Sequence, residues 1–114
     1  MPFRIRTLNA ISQSGLSRLP ADRYLVGHDV THPDALLLRS ASLHNQPIDA
    51  SVLAVARAGA GTNNIPIPEY SKHGIPVFNT PGANANAVKE LVVAGLFLAA
   101  RNIVDAAAFA HRLE

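Results

Sequence analysis

Residues 55–81 read VARAGAGTNNIPIPEYSKHGIPVFNTP. This run constrains the fold more than any other part of the chain. An apolar strand passes into an arginine and a glycine-rich turn, then a short helix from Pro68 to His73, then a second strand from Pro76 to Phe78. Pro at the start and Gly74 at the end are the residues a short helix takes at those places. A strand, helix and strand this closely spaced form a βαβ unit, which pairs its strands in parallel.

The rest of the N-terminal part repeats the theme. Phe3 to Leu8 alternates apolar and polar residues with the period of a half-buried strand. Ile11 to Leu19 reads as a short helix closed by Pro20, and Arg23 to Val26 as a second strand. Ala35 to Leu38 is a four-residue apolar run, too short for a helix and typical of a strand buried on both faces. Asp49 to Val52 reads as a short helical turn before the strand Leu53 to Arg57. The expected order is β-α-β-β-α-β-α-β, giving a parallel sheet with helices on both faces, followed by one long helix from about Asn84 to Glu114.

That last segment has its own character. Val88, Leu91, Val92, Leu96, Ala99, Ile103 and Ala106 recur at steps of three and four, while Val93, Phe97 and Leu98 make the centre apolar nearly all round. Such a helix needs a partner on every side. Its expected partners are a second domain or a second subunit. No glycine or proline stop signal ends it, so the chain reads as cut within a longer protein.

Composition narrows the function classes. In a chain of 114 residues, 48% are hydrophobic and 16% charged, enough for a core and too apolar for disorder. The net charge is +2 and the lysines and arginines form no run; with two tyrosines and four phenylalanines, a nucleic-acid surface is not expected. There is no cysteine, which rules out disulfides and thiolate metal sites and favours a reducing compartment. The N-terminus lacks a signal-peptide stretch, and the apolar block from Leu91 to Ala100 is ten residues, short for a bilayer span. A cytoplasmic protein with no membrane partner is the expectation.

The chemistry concentrates at two strand ends. Arg39 closes ALLLRS and Arg57 closes LAVAR, both at the carboxyl ends of expected parallel strands, where open α/β sheets bind ligands. Gly59-Ala60-Gly61 follows Arg57 at once. Consecutive N–H groups in a glycine turn form a concave nest for oxyanions, and an arginine beside it adds a planar fork for carboxylate or phosphate. Ser40 and Ser42 can donate further hydrogen bonds. A ligand-free turn with two surface arginines capping strand ends is the alternative reading of the same residues. Gly59-x-Gly61 also resembles the opening of a dinucleotide fingerprint, but Asn64 stands at the third glycine position and Ile65-Pro66-Ile67-Pro68 replaces the helix start that the pyrophosphate requires. His28 and His32 are four apart but lie in a loop without ligating carboxylates, so no metal site is expected. Asn84 stands where it either caps the long helix or meets a ligand.

Taken in order, ALLLRSAS, VARAGAGTNNI and HGIPVFNTPGANANAVKELVVAGLFLAARNI resemble the N-terminal part of the D-isomer-specific 2-hydroxyacid dehydrogenases over roughly residues 35–104. The resemblance implies a flavodoxin-like α/β substrate domain over residues 1–83, incomplete here. Residues 84–114 would then be a helix crossing to an NAD-binding Rossmann domain absent from this chain and joining two subunits as a homodimer. It implies an oxidoreductase that passes a hydride from a 2-hydroxy acid to NAD. The similarity is greatest to the branch that oxidises 3-phosphoglycerate to 3-phosphohydroxypyruvate at the entry to serine synthesis. Glyoxylate or hydroxypyruvate enzymes of the same family, or a non-catalytic flavodoxin-like module binding an anion or a partner chain, are the alternatives. By resemblance, Arg39 and Arg57 face the substrate phosphate, and Gly59, Ala60 and Gly61 hold the substrate carboxylate; Ser40, beside Arg39, is a further candidate substrate-binding residue. Ala60 also lies near the nicotinamide. The family's GxGxxG, its ribose-reading acid, its carboxylate-binding arginine and its His–Glu pair all fall beyond this helix, so no catalytic residue is expected in this chain and it is expected to be inactive alone. Asn63-Asn64 departs from the family, which often has an acid before the second Asn.

Overall fold

The computed structural model describes residues 1–113. The chain forms two compact units, one from Met1 to Pro81 and one from Gly82 onwards. In the first, β1 (Phe3–Leu8), β2 (Tyr24–Gly27), β3 (Ala35–Leu38), β4 (Ala54–Arg57) and β5 (Val77–Phe78) form one sheet. All pairs are parallel and the spatial order is β2-β1-β3-β4-β5. This is the flavodoxin-like order, which reverses direction between β1 and β3.

Register determines the core. Leu36 pairs with Val55 and Val55 with Val77, so these three side chains share a face. Leu8, Leu36, Leu38, Val55 and Val77 meet Leu43, Ile48, Val52, Ile65, Tyr70 and Ile75 on that face. Leu38 and Val55 are 0% exposed. Burial also pushes the Tyr70 phenol above its ordinary range.

The helix α2 (Ile67–Lys72) ends in a motif that its sequence specifies. Gly74 adopts φ +70, its N–H donates to the Ser71 carbonyl at 3.0 Å, and the Ile75 N–H donates to the Tyr70 carbonyl at 3.0 Å. This is a Schellman ending, in which glycine takes the left-handed position and the next apolar residue turns into the core. Pro76 has no N–H to offer a ladder; it sits just before β5 and accepts from the Val55 N–H at 3.0 Å.

Two expectations change. The helix expected over Ile11–Leu19 shrinks to α1 (Gln13–Leu16), with turns to Leu19. The turn expected at Asp49–Val52 is present, closed by the Val52 N–H on the Asp49 carbonyl at 3.0 Å, and the Ser51 N–H and hydroxyl both donate to the Asp49 side chain and hold its carboxyl below the usual aspartate range. In β3 only Leu38 is fully buried, and Ala35, Leu36 and Leu37 are half-buried.

In the second unit the single long helix is broken. α3 (Ala85–Ala100) and α4 (Ile103–Ala110) bend by 58° at Arg101-Asn102. Asn102 takes φ 48, ψ 41, a left-handed conformation that asparagine tolerates better than most residues. Gly95 lies within α3 and does not break it. Asn84 precedes α3 but its side chain makes no capping hydrogen bond. Among the described residues no single helix is long and apolar enough to cross a membrane; α3 and α4 pass that test only as a bent pair.

Candidate functional site

Parallel strands bring all their carboxyl ends to one edge. Asp22, Asp34 and Asp49 precede β2, β3 and β4 at the amino edge, whereas Arg39 and Arg57 follow or end β3 and β4 at the carboxyl edge. Asp29, beyond the edge strand β2, is the acid on that side of the strands. The one contact between a basic side chain and a carboxylate within 4.0 Å among the described residues is His32 Nδ1 to Asp49 Oδ2 at 3.7 Å. Neither arginine therefore has a carboxylate partner among the described residues.

The loop carrying Arg39 and Ser40 is clamped from two sides. Asn9, in a left-handed conformation at φ 72, lies just past β1. Its Oδ1 accepts from the N–H groups of Arg39 at 3.2 Å and Ala41 at 2.7 Å. From the other side, Asn64 Nδ2 donates to the carbonyls of Arg39 at 3.0 Å and Ala41 at 2.7 Å. The residue between them, Ser40, keeps its N–H and hydroxyl without a partner among the described residues. The Arg39 guanidinium reaches the Ala10 carbonyl at 3.4 Å.

The Gly59–Gly61 turn shows the complementary asymmetry. Every carbonyl is taken: Gly59 accepts from the Thr80 N–H at 2.9 Å, Ala60 from Asn79 Nδ2 at 2.7 Å, and Gly61 from Arg57 Nη1. The N–H groups of Gly59, Ala60 and Gly61 have no hydrogen-bond partner among the described residues. A turn with its acceptors occupied and its donors unused favours a negatively charged ligand.

Arg57 packs closely against both glycines. Its guanidinium folds back over the turn, so a Cβ at Gly59 would meet Arg57 Nε at 3.3 Å and one at Gly61 would meet Nη1 at 3.1 Å. Arg57 Nε is buried without a partner, and Nη1 also reaches Asn63 Oδ1 at 3.4 Å. The two arginines expected to grip one ligand are thus held by different loops and share no partner, Arg39 by the loop after β1 and Arg57 by its own turn.

The sheet brings Arg39, Ser40, Arg57, Gly59, Ala60 and Gly61 to one edge. The asparagines that fix them, Asn9, Asn64 and Asn79, are not legible as site residues from sequence. Their common signal is an asparagine within a few residues of a strand or turn end. His28 lies outside the group, its Nδ1 bonded to the Thr7 carbonyl at 3.0 Å. After Gly61 no helix starts until Ile67, so the turn offers no helix N-terminus to a pyrophosphate.

The model of the D-isomer specific 2-hydroxyacid dehydrogenase catalytic domain matches residues 20–110. D-3-phosphoglycerate dehydrogenase of Escherichia coli strain K12 is 46% identical over 52 residues, covering 46% of this chain and 13% of that protein. Erythronate-4-phosphate dehydrogenase of Acinetobacter baylyi is 35% identical over 88 residues, covering 75% of this chain and 25% of that protein. Hydroxypyruvate reductase of Thermotoga maritima is 38% identical over 76 residues, covering 64% and 25%. The chain thus spans between 13% and 25% of the length of these relatives. The crystal structure of the PH0520 protein from Pyrococcus horikoshii OT3 matches all of this chain and 38% of its own, with a TM-score of 0.65 at 21% identity, a likeness of fold.

Proposed function

The chain belongs to the D-isomer specific 2-hydroxyacid dehydrogenase family, and from that premise we propose that it supplies the substrate-binding share of an NAD-dependent oxidoreductase acting on 3-phosphoglycerate. The observation that carries this reading is the carboxyl edge of the sheet, where two arginines without carboxylate partners flank three unused backbone donors. In this reading Arg39, Ser40 and Arg57 take the phosphate, and the N–H groups of Gly59, Ala60 and Gly61 take the carboxylate. Holding both anionic ends fixes C2 in space, a contribution of orientation rather than of bond chemistry.

These residues do not by themselves fit a dinucleotide, because the glycine turn leads into Thr62–Pro66 and not into a helix. We assign Ala60 alone to the nicotinamide side of the site. The hydride acceptor and the acid–base pair lie outside residues 1–114 in this proposal, and the chain alone does not turn over substrate. A place in serine synthesis and in the cytoplasm follows from the same reading. The runner-up is a family member acting on an unphosphorylated acid such as hydroxypyruvate, and two arginines without carboxylate partners at one sheet edge weigh against it.

Calorimetric titration of the 114-residue chain at low ionic strength separates the two. A charge-assisted hydrogen bond contributes about 1.5–3 kcal/mol, so 3-phosphoglycerate is expected to bind roughly 10- to 100-fold more tightly than D-glycerate, which lacks only the phosphate. Equal affinity for 3-phosphoglycerate, D-glycerate and hydroxypyruvate would remove the phosphate from the assignment.

We also propose that α3 and α4 pair with a second copy of the chain. Leu91 is 75% exposed, Leu96 64%, Phe97 63%, Val104 67% and Phe109 59%, a set of apolar side chains that marks an interaction surface. Sedimentation equilibrium should report a dimer, and a monodisperse monomer at micromolar concentration would contradict the pairing.

A further inference from the structure

We propose that Asn63 sets the charge of the glycine turn, holding the Arg57 guanidinium with a neutral amide so that its positive charge stays available to an anionic ligand. The proposal rests on the anion-binding reading of the turn given above.

Three groups meet at one point. A Cβ at Gly61 would lie 3.1 Å from Arg57 Nη1 and 3.5 Å from Asn63 Oδ1, and those two atoms are 3.4 Å apart. The Asn63 backbone is fixed on both sides: its own carbonyl accepts from His44 Nε2 at 2.9 Å, the preceding Thr62 carbonyl accepts from the Ile65 N–H at 3.0 Å, and the following Asn64 carbonyl accepts from the Leu43 N–H at 2.9 Å. The amide oxygen is therefore delivered to Arg57 from an anchored backbone. It orients the guanidinium without neutralising it, and Arg57 Nη2 keeps no partner among the described residues.

A carboxylate has the shape of that amide and the opposite effect. At position 63 it would form an ion pair with Arg57 and cancel the local charge, and a ligand would then have to compete with it for the same donors. Asn63 is in this sense a positioning residue that also decides what Arg57 can bind.

The test compares Asn63→Asp with Asn63→Ser in the 114-residue chain, with inorganic phosphate and 3-phosphoglycerate as probes. Asn63→Asp is expected to lose at least tenfold in affinity for both probes with melting temperature unchanged or raised, while Asn63→Ser, still neutral, loses less. A merely structural role would lower stability and affinity together. Independently of any ligand, the introduced carboxyl should titrate below the usual aspartate range by NMR because it faces Arg57. Wild-type affinity in Asn63→Asp, or a carboxyl titrating at its ordinary value, would overturn the proposal. Absence of phosphate binding by the wild type would overturn the anion reading and this proposal with it; a carboxyl still titrating low would then show that the contact with Arg57 stands and the anion assignment is what failed.

Discussion

Arg57→Ala is expected to weaken 3-phosphoglycerate binding by roughly 10- to 100-fold, the equivalent of losing one charge-assisted contact of about 1.5–3 kcal/mol. Two consequences of the substitution point the same way. The carboxyl edge loses one of its two arginines, and the Gly61 carbonyl loses the guanidinium that occupies it. The turn donors are then free to reorient, and the nest is no longer held open for an anion. Arg57→Lys keeps the charge but loses the planar guanidinium whose Nη1 reaches both the Gly61 carbonyl and Asn63 Oδ1, so it should recover only part of the affinity. In a complete dehydrogenase carrying this segment, the same variant should raise KM more than it lowers kcat, because the residue positions substrate and does not touch the reacting bond. An unchanged KM would remove Arg57 from the phosphate.

Leu38→Ala is expected to be the most damaging single truncation to stability. Leu38 is 0% exposed at the end of β3, and it packs in the cluster formed by Leu43, Val52, Val55, Ile65, Tyr70 and Ile75. Deleting a buried leucine side chain costs about 2–5 kcal/mol, against a total stability of roughly 5–15 kcal/mol for a domain. The strand register places this core on one face of the sheet of the first unit. Leu37→Ala, on the opposite and half-buried face of the same strand, should cost clearly less. Urea unfolding of the two variants reads the difference directly. Equal losses would mean that the face assignment drawn from the strand register is wrong. Because Arg39 directly follows Leu38, the first substitution should also loosen the Asn9 and Asn64 clamp before the whole unit unfolds.

What the sequence made legible, and what it did not, follows from the range of the forces involved. The strands were readable because apolar runs such as Ala35 to Leu38 and the alternation from Phe3 to Leu8 are local signals of burial. Gly74 and Pro76 marked the end of α2 and the approach to β5 through backbone geometry alone. The positions of Arg39, Arg57 and Gly59–Gly61 at one edge followed from parallel pairing. The direction of each guanidinium did not, because it depends on the acceptors that the loops present: the Ala10 carbonyl, 29 residues from Arg39, and the Gly61 carbonyl and Asn63 Oδ1, 4 and 6 residues from Arg57. The helices were overextended for a related reason. Apolar spacing continues smoothly through Arg101-Asn102, and nothing in that spacing signals that one asparagine adopts φ 48. Likewise Ile11, Leu16 and Leu19 have helical spacing, yet the segment keeps only one helical turn before it must reach β2.

The most direct test of the anion site is a titration of the 114-residue chain with 3-phosphoglycerate followed by amide chemical shifts. The expected result is a set of shifts centred on Arg39, Ser40, Arg57 and Gly59 to Gly61, with the largest at the three turn N–H groups that have no partner among the described residues. Shifts centred elsewhere on the first unit, or none at millimolar ligand, would contradict the assignment of the carboxyl edge as the substrate-binding surface.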